Sequence, residues 1–170
     1  MLHAFASEEN GQARIALLGA AGSLLRGVYY PLKRSFLHEM GGLELLQSVL
    51  ETGEDRVARK ALVLLLDLQL SDIPTSGEHY VKKTLTSDRT WARRILQVDA
   101  KTHDSRAYAL RNLACLAEFR SELLDKDLEK AIQAKRELYS KEVKDADLRT
   151  ELTGLADGIL AHSTTILKDL

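Results

Sequence analysis

The sequence predicts an all-α fold built from stacked helical repeats. Apolar residues recur at steps of three and four through nearly the whole chain, which is the spacing of helices with one buried side. The 170 residues contain only two prolines and 5% aromatic residues, and this composition favours helices over strands. A similar segment also returns after 45 and again after 48 residues, which indicates an internal repeat.

Glycine and proline divide the first part of the chain into separate predicted helices. The first covers residues 12–26 and is followed by a turn between Gly27 and Pro31, because glycine suits the end of a helix and proline suits its first turn. A short helix through residues 32–40 should end at Gly41 and Gly42. The next helix should cover residues 43–50 and end at Gly53.

The helix predicted for residues 55–71 is apolar on nearly all sides between Val57 and Leu70. Such a helix must be covered by neighbours on several sides, so we expect it at the centre of the core. The segment that follows, residues 71–77, combines turn-forming residues with Pro74. This combination predicts a loop.

Five more helices are predicted in the second half of the chain. Two short ones cover residues 80–85 and 91–98, with Ser87 and Asp88 as the N-cap between them. A stronger helix starts at His103, and two long amphipathic helices close the chain. We expect this last pair to cap the stack with a polar outer face. The stripe predicted to dock the first of the pair is Leu124, Leu128, Ala131 and Leu138, and the second carries Leu148, Leu152, Leu155, Ile159 and Leu160.

An Ala-Leu pair at the same point of three helices carries the repeat. The pair begins at Ala16, Ala61 and Ala109, and its separations bracket the upper end of the armadillo and HEAT periods. One such unit cannot bury its apolar face alone, so the units stack into a right-handed solenoid with a groove. We therefore expect residues 1–170 to form a single armadillo-like or HEAT-like domain of about three repeats plus the C-terminal capping helix pair. A plain helical bundle is the alternative.

Charge and hydropathy argue against two classes of partner. The 24 Lys and Arg residues and 25 Asp and Glu residues give a net charge of −1, whereas nucleic-acid-binding domains are usually strongly basic. No stretch reaches the 18 or more apolar residues that a membrane-spanning helix needs. We expect neither nucleic acid nor a membrane as a partner. We also expect a monomer, because the three sustained heptads of a coiled coil are not present.

Few residues suit catalysis or metal binding. The five histidines lie far apart in sequence, without a His-x-x-x-His pair. The only cysteine, Cys115, lies on an apolar helix face and is interpreted as an inert buried thiol. Gly19 and Gly22 lie inside a helix, where close helix packing explains them better than a phosphate loop. We expect no catalytic residue, no metal and no cofactor, and hence a protein that is not an enzyme.

Two segments resemble repeats of a specific family. Residues 16–50 contain Ala-Leu-Leu-Gly-Ala-Ala-Gly-Ser-Leu-Leu-Arg-Gly, then Tyr-Pro, Phe-Leu and Gly-Gly-Leu-Glu-Leu-Leu, and residues 59–68 read Arg-Lys-Ala-Leu-Val-Leu-Leu-Leu-Asp-Leu. Both segments are similar to the armadillo-type nucleotide exchange factors of the seventy-kilodalton heat-shock chaperones. The tail, with Leu138-Tyr139, an acidic spacer and the ending Ile-Leu-Lys-Asp-Leu, is similar to the endoplasmic-reticulum member, the exchange factor for BiP.

The resemblance implies a regulatory binding protein. Family members clamp the outer subdomain of the chaperone's nucleotide-binding domain and tilt it, so that ADP leaves and ATP enters. It also implies that the partner is the nucleotide-binding domain of a DnaK-type chaperone, BiP, that the compartment is the endoplasmic-reticulum lumen, and that the chain is a C-terminal fragment of a longer protein. The opening residues do not read as a signal peptide. The alternatives are a cytosolic location, with the cytosolic member of the family, or a sequence that begins after a removed leader.

The candidate partner-binding residues lie on helices that would line the groove. Arg56, Lys60, Val63 and Asp67 share one helix face because of their three- and four-residue spacing. Ile15 and Leu18 are expected at matching positions of the first unit. The full candidate set is Arg14, Arg26, Arg56, Lys60, Asp67, Tyr108, Arg111 and Asn112, of which Asn112 resembles the groove asparagine of armadillo repeats. The competing interpretations are ordinary solvated charges and a generic armadillo or HEAT scaffold for a peptide or an unrelated protein.

Overall fold

The computed structural model describes residues 11–25, 30–51, 54–72 and 79–165. None of these residues lies in a strand, so the predicted all-α class is confirmed for this part of the chain. A π-helical turn, Ser35–Glu39, continues α2, and a 3₁₀ turn, Ser121–Leu123, precedes α8. The α-helices are α1 (Gly11–Leu25), α2 (Tyr30–Arg34), α3 (Gly42–Glu51), α4 (Asp55–Leu70), α5 (Tyr80–Thr86), α6 (Thr90–Gln97), α7 (His103–Phe119), α8 (Lys126–Glu142) and α9 (Ala146–Thr165).

Some predicted features fall outside the described residues. They are Arg26 and the turn at Gly27, the helix end at Gly53, the loop from residue 73 to 77, and the last five residues of the tail. These stay predictions.

The helices pack as two rows. We call α1, α4, α7 and α9 the front row, because each of them packs against the next one in this order. We call α3, α6 and α8 the back row, where the same is true. Each front-row helix from α4 onward also packs on the back-row helix that precedes it in the chain. The first residues of the front-row helices, Gly11, Asp55, His103 and Ala146, are separated by 44, 48 and 43 residues.

The front-row helices α4 and α7 run side by side in the same direction. Near their starts, Oδ1 of Asp55 accepts a hydrogen bond of 2.8 Å from the backbone N–H of Lys101. Further along, Nε2 of Gln69 donates to Oδ1 of Asn112 at 2.6 Å. Because contacting positions advance together along both helices, the two helices are parallel neighbours.

The prediction that the helix at residues 55–71 forms the centre of the core is confirmed. α4 packs against α1, α3 and α7. Most of its side chains between Val57 and Leu68 are buried, and Leu65 is fully buried. Leu70, in the last turn, is 67% exposed, so the core ends before the helix does.

The predicted break at Gly41 and Gly42 is present, and both positions require glycine. Gly41 has a φ of 79°, in the left-handed region that side chains with a Cβ disfavour. A Cβ at Gly42 would lie 2.5 Å from the carbonyl oxygen of Phe36. The close approach of α3 to the preceding π-helical turn therefore depends on the missing side chain.

The docking stripe predicted for the first C-terminal helix is partly wrong. Ala131 is exposed and Leu138 is 41% exposed. The buried side chains of α8 are Leu128, Ile132 and Tyr139, which are spaced by four and seven residues. This spacing keeps them on one side of the helix, and Ala131 and Leu138 lie outside that stripe.

Two smaller predictions also need correction. Leu148 of α9 is exposed, whereas Leu152 and Ile159 are buried, so the core-facing stripe of α9 begins one turn later than predicted. Between α5 and α6, Asp88 accepts a hydrogen bond of 2.9 Å from the backbone N–H of Thr90. The Ser87 hydroxyl instead donates backwards to α5, so Asp88 alone serves the start of α6.

Candidate partner-binding face

The four α4 positions predicted to share a face do lie along one side of the helix. Arg56 and Lys60 are exposed, and Val63 and Asp67 are half-buried. Their spacing of four, three and four residues places them in one row. Since the rest of α4 is largely covered by its neighbours, this row is the accessible part of the central helix.

The row continues onto α7 and α9. Nη2 of Arg111 in α7 donates a hydrogen bond of 2.7 Å to Oε1 of Glu151 in α9, and the Arg111 guanidinium lies 5.9 Å from the ring centre of Tyr108. Oε2 of Glu151 lies 2.9 Å from Nε2 of His103. We call the following residues the front face: Arg56, Lys60, Val63 and Asp67 of α4, Tyr108, Arg111 and Cys115 of α7, and Glu151 of α9.

The charges of the front face are unevenly compensated. The Arg111 guanidinium is paired with the Glu151 carboxylate. Arg56 and Lys60, by contrast, form no ion pair with any described residue, and both are exposed. The positive charge that a partner could neutralise therefore lies on α4, one helical turn apart at positions 56 and 60.

Asn112 is not on the front face, and this prediction is wrong. Its side chain is fully buried between α4 and α7. Nδ2 donates to the carbonyl oxygens of Leu62 (2.9 Å) and Tyr108 (2.8 Å), while Oδ1 accepts from Gln69. All hydrogen-bonding groups of the amide are thus used inside the protein, and a partner cannot reach them.

The predicted matching positions on α1 are also shifted. Leu18 is buried and Ile15 is half-buried, as is Arg14. The helix starts of α1 and α4 are separated by 44 residues, rather than the 45 given by the Ala-Leu pairs, and one residue rotates a helix by about 100°. With 44, the positions that match the α4 row are exposed or half-buried: Gln12, Ala16, Gly19 and Ser23, with Gly22 beside them.

A shallow pocket opens between α1 and α4 at one end of the front face. Its volume is about 230 Å³. Gly22 lies on one side of it and Leu64 on the other, and a Cβ at Gly22 would be 3.9 Å from Leu64. Asp67 contributes the acidic group at this pocket. The other lining residues are Leu25, Leu68, Leu70 and Ser71.

The thiol of Cys115 fits the inert role that the sequence predicts. Burial raises its pKa, with a smaller opposing effect of the Lys82 charge and a smaller raising effect of Glu118. A raised pKa keeps the thiol protonated at neutral pH, and the protonated form is a poor nucleophile.

Glu151 is the front-face residue that the sequence analysis missed. It lies 43 residues after Tyr108, which is the separation between the starts of α7 and α9. Extending the repeat by one more unit would have found it. Within the described ranges, no helix has the length and apolarity to cross a membrane, and no cluster of three His, Cys, Asp or Glu side chains could hold a metal ion.

Comparison of the chain with protein-family models, with curated proteins and with solved structures finds no match in any of the three. The evidence for function is therefore the front face itself, together with the resemblance of residues 16–50 and 59–68 to exchange-factor repeats.

Proposed function

We propose that the protein is an armadillo-type solenoid that acts as a nucleotide exchange factor. Its partner is the nucleotide-binding domain of a DnaK-type heat-shock chaperone, BiP, and its activity is the promotion of ADP release. The observation that carries the proposal is the front face, an accessible row across parallel helices with two uncompensated cations, Arg56 and Lys60.

Repetition of helix order supports the solenoid. A short helix, a back-row helix and a front-row helix follow one another as α2, α3 and α4, and again as α5, α6 and α7. The turn Ser121–Leu123 followed by α8 and α9 has the same order. Front-row starts 43 to 48 residues apart are close to the armadillo and HEAT periods. The last pair then closes the stack as a third unit.

The proposed mechanism needs binding alone. A protein that binds the open form of the chaperone domain more tightly than the closed form shifts the population toward the open form. By linkage, nucleotide affinity falls by the same factor. Arg56 and Lys60 would pair with carboxylates of the chaperone, and the pocket between α1 and α4 would take an apolar side chain. No group of the protein has to exchange a proton or form a bond.

Lumenal location follows from the choice of partner. The similarity of the tail to the endoplasmic-reticulum exchange factor favours BiP, and the cytosolic member of the family is the rival. Binding to the nucleotide-binding domains of BiP and of a cytosolic homologue, measured side by side, separates the two. Tighter binding to the cytosolic domain would move the proposal to the cytosol.

Calorimetric titration of the BiP nucleotide-binding domain tests the proposal and the face together. The double variant Arg56→Glu/Lys60→Glu should bind about tenfold more weakly, which corresponds to about 1.4 kcal/mol. The matched control is Lys126→Glu/Lys130→Glu, which makes the same charge change at exposed positions four residues apart on α8. Equal affinities of both variants would remove the front face from the site. No binding by the unmodified chain would favour a generic scaffold for another protein or peptide.

A further inference from the structure

One side of α1 lacks a cover that α4 has. In the described chain, α4 is packed against the back-row helix α3, whereas α1 has no back-row helix before it. The consequence is visible at matching positions 44 residues apart. Ala13 and Leu17 are half-exposed, while Val57 and Ala61 are buried.

Residues 1–7 match the part of α3 that covers α4. At the same separation of 44, residues 1–7 (Met-Leu-His-Ala-Phe-Ala-Ser) align with residues 45–51 (Leu-Leu-Gln-Ser-Val-Leu-Glu). The apolar residues align with buried positions, and the polar or small ones align with half-buried or exposed positions. The buried positions are Leu45, Leu46, Val49 and Leu50, matched by Met1, Leu2, Phe5 and Ala6.

The connections are also equal in length. Three residues, 52–54, separate the end of α3 from the start of α4. Three residues, 8–10, separate Ser7 from the start of α1 at Gly11. A segment tethered in this way can reverse direction and reach the first turns of α1, as α3 and α4 do.

We infer that residues 1–6 pack against Ala13 and Leu17 of α1, in the arrangement that the end of α3 has on α4. A second copy of the chain is a poorer occupant, because this patch is far smaller than the roughly 800 Å² per partner of a stable interface. A covalently attached segment binds without the loss of translational freedom that association of two molecules entails. Packing of this kind would also fix the rotation of α1, so that Gln12 and Ala16 extend the row of Arg56 and Lys60.

Hydrogen exchange on the free, full chain tests the inference without any partner. Phe5→Asp places a charge at the position that matches fully buried Val49, and Ala4→Asp places it one residue away, at the match of half-buried Ser48. Amides of residues 15–18 should exchange at least tenfold faster in Phe5→Asp and at the unmodified rate in Ala4→Asp. Equal exchange rates in all three proteins would overturn the inference, as would equal acceleration in both variants.

A second measurement keeps the inference testable if Phe5→Asp disturbs the whole fold. In the unmodified chain, nuclear Overhauser contacts between the Phe5 ring protons and the Leu17 methyl groups are expected. Their absence, with both spin systems assigned, would overturn the inference.

Discussion

Gln69 of α4 and Asn112 of α7 form a fully buried amide pair, in which Nε2 of Gln69 donates to Oδ1 of Asn112 at 2.6 Å. The other end of Asn112 donates to the Leu62 carbonyl of α4 and to the Tyr108 carbonyl of its own helix. A single side chain therefore links two front-row helices through directional contacts, and shifting one helix along the other would break them.

Replacing Asn112 by leucine should destabilise the protein. The Leu62 carbonyl and the Gln69 amide would stay buried without this partner, and each unsatisfied group costs about 1 to 3 kcal/mol. Urea unfolding followed by circular dichroism measures the loss. The double variant Gln69→Leu/Asn112→Leu should lose less than the two single losses added together, because it removes both partners. Strict additivity would mean that the two amides are energetically independent.

Two leucines of the same helix test the core. Leu65→Ala should lower the free energy of unfolding by about 2 to 5 kcal/mol, since Leu65 is fully buried. Leu70→Ala should change it by less than about 0.5 kcal/mol, since Leu70 is 67% exposed. Urea midpoints of the two variants give the comparison. Similar losses for both would contradict the placement of α4 at the centre of the core.

The sequence was sufficient for α4 and insufficient for α8, for a physical reason. Between Val57 and Leu68 the helix is apolar on nearly every side, so its burial did not depend on how it was rotated. On α8 only a narrow stripe is buried, and a rotation of about 100° decides between Leu128–Ile132–Tyr139 and a stripe that includes Ala131 and Leu138. That rotation is set by contacts with α6 and α9, which are distant in sequence.

The same limit applies to the candidate site. Arg56, Lys60 and Arg111 were placed on the surface because charged side chains are rarely buried without a partner. Asn112 was misplaced, because asparagine is found both on surfaces and in satisfied buried networks. Only the positions of Gln69 and the Leu62 carbonyl distinguish the two, and the sequence does not bring those groups together.

Asp55 should make stability depend on pH. Burial alone raises the pKa of its carboxyl group, but hydrogen bonds from the backbone N–H groups of Lys101 and Thr102 and from the Ser105 hydroxyl hold the pKa below its usual value. A lowered pKa in the folded state stabilises the protein above the unfolded-state pKa of about 4, and this contribution is lost as pH falls through the folded-state pKa.

The variant Asp55→Asn isolates this effect. The difference in urea midpoint between the unmodified chain and the variant should be largest near pH 7 and should shrink below about pH 4. A difference that stays constant from pH 7 to pH 3 would show that the Asp55 charge does not contribute.

Two glycine substitutions should change stability in opposite directions. In Gly42→Ala the new Cβ would meet the Phe36 carbonyl at 2.5 Å, so α3 must move and stability should fall. In Gly19→Ala the Cβ meets nothing within 4 Å, and alanine in a helix interior is favoured over glycine by about 0.5 to 1 kcal/mol. Thermal unfolding of both variants checks the signs. A less stable Gly19→Ala protein would contradict the described position of α1.

Nucleotide release tests the central claim most directly. A fluorescent ADP analogue is bound to the BiP nucleotide-binding domain, and its release is followed by stopped flow at rising concentrations of the chain. The proposed function predicts faster release that saturates with concentration, weaker acceleration by Arg56→Glu/Lys60→Glu, and full acceleration by Lys126→Glu/Lys130→Glu. A release rate that stays constant at every concentration of the unmodified chain would contradict the proposed exchange activity.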